Sequence, residues 1–124
     1  MNVFLWVLAG VLAAVFLASG AMKLLRTKEQ LAGAGQGWVE KFPPGTIKLI
    51  GVLELAAAIG LVLPPALDIA PVLAPIAAVG LIIVMAGAVT THARRQEWSN
   101  VAVNVVLAVL GAVVAWGRFG PYSF

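Results

Sequence analysis

The sequence predicts an all-α integral membrane protein, a four-helix bundle formed as one transmembrane domain over residues 1–124. Three observations predict it. The chain is 62 % hydrophobic and only 10 % charged, against about 25 % charged residues in soluble domains. Mean hydropathy is +1.04, and a water-soluble domain this short cannot hide so much apolar surface. The apolar residues also gather into four runs, each close to the roughly 20 residues that cross about 30 Å of hydrocarbon as a helix. None alternates with the period of two that a barrel strand requires. Four spans leave about 44 positions for loops and ends, too few for a separate soluble or nucleotide-binding domain.

The first span covers residues 3–22. It is uncharged up to Lys23 and carries Ser19 as its one polar side chain. It is expected to stay as a span rather than be removed as a leader: Met1-Asn2-Val3-Phe4 lacks a positive start, and the apolar run exceeds a typical leader core. Asn2, not glycine, follows Met1 and cysteine is absent, so no lipidation motif is present.

Residues 24–45 form the longest connection, placed at the membrane interface. Lys28-Glu29-Gln30-Leu31 either prolongs the first helix or makes a short interfacial one. Gly33, Gly35 and Gly37 then loosen the chain. Trp38 and Phe42, four apart, share one helical face with Glu40 and Lys41 turned away. Such aromatic residues anchor a segment at headgroup depth; a lid over a bound substrate is the alternative.

The second span covers residues 46–63 and is expected to stop before Pro64-Pro65, with Lys48 near its start and Glu54 well inside. The third covers 71–91, with Pro71 in the first turn, where proline is favoured. The fourth covers 100–117, with Asn104 its one polar interruption after Asn100.

Basic residues set the expected orientation. Lys23, Arg26, Lys28, Lys41, Lys48, Arg94 and Arg95 lie at one end of the spans, and only Arg118 at the other. The bias puts loops 23–45 and 92–99 on the cytoplasmic side of a cell inner membrane and both termini in the periplasm. A pI near 9.8 then reads as attraction to anionic lipid headgroups rather than to nucleic acid.

Zero cysteines exclude a disulfide framework, a thiol relay, an iron–sulfur cluster and a thiolate zinc site. One histidine, His92, makes no metal site alone. No catalytic residue or metal ligand is assigned, and the chain is not expected to catalyse a reaction by itself.

Glu54 is the most informative residue. A carboxylate several turns inside a membrane helix is costly and faces protein or a wet cavity. Gly51, Ala57 and Ala58 flank it on its helix and let another helix come close. Counted from Thr46, it lies roughly 12 Å from the cytoplasmic end. Lys23, Lys48, Thr91, His92, Asn100 and Asn104 all fall in that same half, and the outer half carries almost no polar residue. Three stripes support an inward site: Ser19 and Gly20 below Lys23; Gly80, Val84, Gly87 and Thr91; and Asn100, Asn104, Leu107, Gly111 and Ala115. The expected ligand-binding set is Glu54, Lys23, Asn104, Asn100, His92 and Thr91, with Lys23 turned to Glu54 and the asparagines and His92 completing a hydrogen-bonded group. Each also has a structural role open to it. Lys23, Lys48, Arg94 and Arg95 can snorkel to phosphates, Asn104 can bond another helix, and His92 can sit in a solvated turn.

The run Ala18-Ser19-Gly20-Ala21-Met22-Lys23-Leu24 resembles the DoxX-like family. So do Gly37-Trp38-Val39-Glu40 and Pro44-Gly45-Thr46-Ile47-Lys48-Leu49-Ile50-Gly51-Val52-Leu53-Glu54. Gly60-Leu61-Val62-Leu63-Pro64, Ala77-Ala78-Val79-Gly80-Leu81, His92-Ala93-Arg94-Arg95 and Asn100-Val101-Ala102-Val103-Asn104 continue the likeness along nearly the whole chain. The resemblance implies a four-helix bundle of bacterial inner membranes, distantly similar to vitamin K epoxide reductase bundles. It also implies association with membrane redox complexes, since the family name comes from a small subunit found with a thiosulfate:quinone oxidoreductase. A eukaryotic branch is linked to receptor assembly. Without cysteine the chain departs from the disulfide-shuttling reductases, whereas quinone or lipid binding needs no thiol.

The leading expectation is a membrane subunit that binds an isoprenoid quinone or similar lipid between its helices. Glu54 and Asn104 would hydrogen-bond the headgroup, and Gly- and Ala-lined grooves would take the tail. A scaffold that packs against another membrane protein, or against a second copy of itself, is the alternative. A small proton-coupled exporter is the third reading; it is disfavoured because the first helix carries no carboxylate and the aromatic residues sit near the helix ends.

Overall fold

The computed structural model describes residues 2–33, 37 and 42–122, without the Lys28 side chain. Five helices follow one another: α1 (Asn2–Leu25), α2 (Lys28–Gly33), α3 (Pro44–Ala66), α4 (Leu73–Arg94) and α5 (Trp98–Phe119), with no strand among the described residues. All but the short α2 are long and apolar enough to cross a membrane. They form a ring in which α1 packs on α3, α3 on α4, α4 on α5, and α5 returns to α1.

Each long helix turns one stripe inward. On α1 the buried row runs Leu5, Leu8, Leu12, Phe16, Gly20, Lys23. On α3 it runs Ile47, Gly51, Glu54, Ala58, Leu61. These are steps of three and four, the spacing of one helical face. The inward rows of α4 (Ala78, Leu81, Met85) and α5 (Val114, Ala115) complete one apolar core with Phe16 and Leu12. The outward faces carry large apolar side chains such as Val3, Val7, Val11 and Val15 on α1, exposed in the isolated chain. Facing water, such a surface would be an aggregation hazard; facing acyl chains, it is in its own solvent.

Two pairs of helices meet differently. A Cβ built on Gly20 would lie 2.7 Å from the Gly51 carbonyl oxygen, and one built on Gly51 would lie 2.9 Å from Lys23 Cβ. The α1–α3 crossing is therefore backbone against backbone, which only glycine permits. At the opposite end, Arg118 is buried between α1 and α5. It donates to Asn2 Oδ1 at 2.6 Å and to the Tyr122 carbonyl at 2.9 Å, and lies 5.7 Å over the Trp6 ring. This arginine is the basic residue that the sequence places alone at the outer end, and Asn2, Trp6 and Tyr122 lie near the chain termini.

The helix ends explain the other differences. Residues 28–31 do not prolong α1. The chain breaks at Thr27, whose hydroxyl accepts from the Gln30 amide while Gln30 Oε1 accepts from the Thr27 amide, at 3.1 and 2.9 Å. This reciprocal capping box starts α2. The Lys48 ammonium donates to the Leu24 and Arg26 carbonyls at 2.8 and 3.0 Å, closing the C-terminal end of α1. Helix α3 does not stop before Pro64-Pro65 but includes both. In the last turn, proline deprives only the Gly60 and Leu61 carbonyls of donors, and its fixed φ is already helical. Ile69 and Asp68 then donate back to the Pro64 and Pro65 carbonyls, with Asp68 at φ 54°. Pro71 lies in the turn before α4, whose first residue is Leu73. Of the expected anchor pair, Trp38 lies outside the described residues, as do Glu40 and Lys41, which were expected to turn away from it.

Candidate functional site

Glu54 sits at the inward face of α3, directly after the Gly20–Gly51 crossing, and is 2 % exposed. That close crossing is what brings α1 within side-chain reach. Lys23, buried on α1, places its ammonium 2.8 Å from Glu54 Oε1. Ser19, one turn before Lys23, donates to Glu54 Oε2 at 3.0 Å and accepts from Lys23 Nζ at 2.6 Å. The three groups form a closed triangle in which the two formal charges cancel. A buried pair survives only when such additional hydrogen bonds meet its remaining valences.

This triangle forms one wall of a partly open cavity of about 370 Å³, to which all four long helices contribute. Phe16 and Met85 form apolar walls, and Phe42, from the segment before α3, closes one side. Thr91, His92 and Asn104 line it from α4 and α5. Of the six residues expected at the site, the structure gathers five around this space. Asn100 is the exception. It is exposed in the first turn of α5, one turn nearer the helix start than Asn104, and does not line the cavity.

The expected hydrogen-bonded set is also rearranged. His92 does not join Glu54. At the end of α4, Glu97 and Gln96 donate their amides to the His92 and Ala93 carbonyls, at 2.9 and 3.0 Å, with Gln96 at φ 58°. This Schellman turn folds the Glu97 side chain onto the His92 ring: Oε1 accepts from Nδ1 at 2.8 Å and from Arg95 Nε at 3.2 Å. The His92 hydrogen bond, aided by the positive charge of Arg95 and offset in part by desolvation, holds the Glu97 carboxyl below the ordinary carboxylate range. Across the same end, a Cβ on Gly37 would meet Arg95 Nη2 at 2.8 Å, so Gly37 lies against the Arg95 side chain.

Thr91 donates its hydroxyl to the Gly87 carbonyl at 3.0 Å, leaving acceptor lone pairs for the cavity. Asn104 makes no side-chain hydrogen bond among the described residues, so the expected bond to a neighbouring helix is not formed; its amide can both donate and accept. Ser19 was not among the expected ligand-binding residues, although its spacing of four from Lys23 already put the two on one helical face. Phe42 was read as an anchor and is found on the cavity wall. No group of three or more metal-ligating side chains occurs among the described residues.

Such a cavity combines apolar walls with a few polar groups at one end, which is how sites for amphipathic small molecules are built. The model of the DoxX-like family matches residues 7–114, a stretch that holds Ser19, Lys23, Glu54, His92 and Asn104. The chain belongs to the DoxX-like family. Within this DoxX-like protein, the matched stretch takes in all of α2 to α4 and most of α1 and α5. Neither a curated protein nor a solved structure matches the chain.

Proposed function

We propose that this DoxX-like protein is a membrane subunit that holds an isoprenoid quinone or similar lipid in the cavity beside Glu54. One observation carries the reading. A buried Lys23–Ser19–Glu54 triangle borders an apolar space, and the Asn104 amide, without a hydrogen-bond partner among the described residues, borders it too. Keeping a charged pair at this depth is expensive for a purely structural purpose, since apolar residues of similar volume often serve stability as well or better. In this reading Glu54 and Asn104 bind the headgroup, Lys23 pairs with Glu54, and Ser19 fixes the carboxylate's orientation. The charge bias of the loops supports a cavity end at the cytoplasmic face of an inner membrane, where a redox partner would meet it.

The test is quinone recovered by native mass spectrometry of the detergent-purified protein, together with quinone-dependent thermal stabilisation. Glu54→Gln is expected to reduce both. If no quinone or lipid is carried, none stabilises the wild type, and a stable protein partner is captured instead, the protein is a scaffold and the ligand reading fails.

A further inference from the structure

A second space lies outside the bundle, between α3 and α4. It is an apolar groove of about 460 Å³ lined by Leu53, Ala57 and Gly60 on one side and by Ala77, Gly80 and Ile83 on the other. Its glycines are not all alike. Gly20 and Gly51 are small because backbone presses on them, and a Cβ on Gly60 would touch Ala77 Cβ at 3.2 Å. A Cβ on Gly80 would meet nothing within 4 Å. Helix packing does not require the small residue there, and the space above it stays open. The groove adjoins the polar cavity, because Ile83 and Val84 line both. Ile83 is 68 % exposed and stands at the junction. Gly60, in the groove, lies roughly 9 Å beyond the level of Glu54 toward the opposite end of the bundle, at about 1.5 Å per residue.

We propose that the occupant of the Glu54 cavity enters sideways from the bilayer between α3 and α4, leaving its hydrocarbon chain in this groove and carrying a headgroup without net charge. The inference rests on the ligand reading above and adds the path, the seat of the chain and the charge class. The chain's seat follows from the shared wall and the open floor at Gly80. The charge class follows from the triangle: Lys23 and Glu54 already neutralise each other, so an ionised headgroup would be a third, unbalanced charge in a low-dielectric space. A neutral ring or ester oxygen instead accepts from the Asn104 amide, and a hydroxyl donates to Glu54 or Thr91. Among the described residues that line the cavity, the one ammonium or guanidinium is that of Lys23, already paired with Glu54, so a fatty-acid or phosphate head finds no second one there.

The probes are a dimethoxy-methyl-benzoquinone with a ten-carbon chain, decyl phosphate, and the same quinone with a diazirine at the chain end. Binding is compared between the wild type, Gly80→Leu and Glu54→Gln in one detergent, so that partitioning into micelles is common to all. Gly80→Leu fills open space, and its melting temperature checks that it folds. The expected result is tenfold or more weaker quinone binding for Gly80→Leu, weaker binding for Glu54→Gln, little binding of decyl phosphate, and diazirine labelling within residues 53–60 and 76–84. If Glu54→Gln weakens binding while Gly80→Leu does not, or the label falls elsewhere, the groove is overturned and the polar site stands. If Gly80→Leu weakens binding while Glu54→Gln does not, the headgroup assignment fails and the groove stands. Decyl phosphate bound as tightly as the quinone overturns the charge class.

Discussion

Replacing Gly20 by alanine tests how the candidate site is assembled. The added Cβ would fall 2.7 Å from the Gly51 carbonyl oxygen and 3.1 Å from the Leu55 amide nitrogen. Both obstacles include backbone, and backbone cannot swing aside as a side-chain tip can. Ordinary contact begins near 3.4 Å, so α1 and α3 must separate locally by about 0.7 Å. The Lys23–Glu54 contact, now 2.8 Å, would lengthen toward about 3.5 Å, beyond an effective hydrogen bond. Overpacking of this kind costs about 1–3 kcal/mol. Loosening the pair adds part of the roughly 3–5 kcal/mol that a broken buried ion pair costs. Against both stands the gain of about 0.5–1 kcal/mol from replacing a mid-helix glycine by alanine. The net expectation is destabilisation by about 1–4 kcal/mol. Gly80→Ala is the matched control: it carries the same helical gain and meets nothing within 4 Å, so it should stabilise by about 0.5–1 kcal/mol. Denaturant unfolding in detergent micelles compares the two. If Gly20→Ala stabilises as much as Gly80→Ala, the close crossing does not hold the triangle together, and the account of how Lys23 reaches Glu54 is wrong.

Three further outcomes follow from particular contacts. Lys23→Met alone should destabilise by about 3–5 kcal/mol because it leaves a buried carboxylate unbalanced; adding Glu54→Gln should recover most of that, and additive penalties in the double-mutant cycle would refute the pairing. Because the Glu97 carboxyl is held below the ordinary carboxylate range, its contribution to the α4–α5 turn is complete at neutral pH and is lost as the pH falls through its lowered pKa. The melting temperatures of wild type and Glu97→Gln should therefore differ at pH 7 and draw together as the pH is lowered through the acid range; a gap that does not narrow contradicts the assignment. Gln96→Gly should stabilise the protein by up to about 1 kcal/mol, since Gln96 holds φ 58°, where glycine carries no side-chain penalty; a loss of stability would mean that the Gln96 side chain has a role of its own.

The spans were legible because hydropathy is a sum over some twenty residues, and no single contact can reverse it. The inward aim of Glu54 was legible for a similar reason: it shares a helical face with Gly51 and Ala58, a surface suited to protein rather than lipid. Where α3 ends was not legible from proline alone. Pro64 and Pro65 forbid hydrogen bonds only to Gly60 and Leu61, and the backbone beyond them, turning at Asp68, returns its amides to the proline carbonyls. The site's third member was visible in the spacing of Ser19 and Lys23 but was outweighed by larger polar residues on α4 and α5. Of those residues Thr91, His92 and Asn104 line the cavity, yet His92 is taken by Glu97 because the turn after α4 reverses within three residues and delivers a carboxylate to it. A side chain's partner is decided by the nearest competitor the backbone supplies, and a turn's geometry is local information that hydropathy does not carry. The same rule bears on Asn104, to which neither helix packing nor a turn brings a described partner. Its unmet amide is a consequence of the fold, and the ligand reading asks only that something neutral from the bilayer meet it.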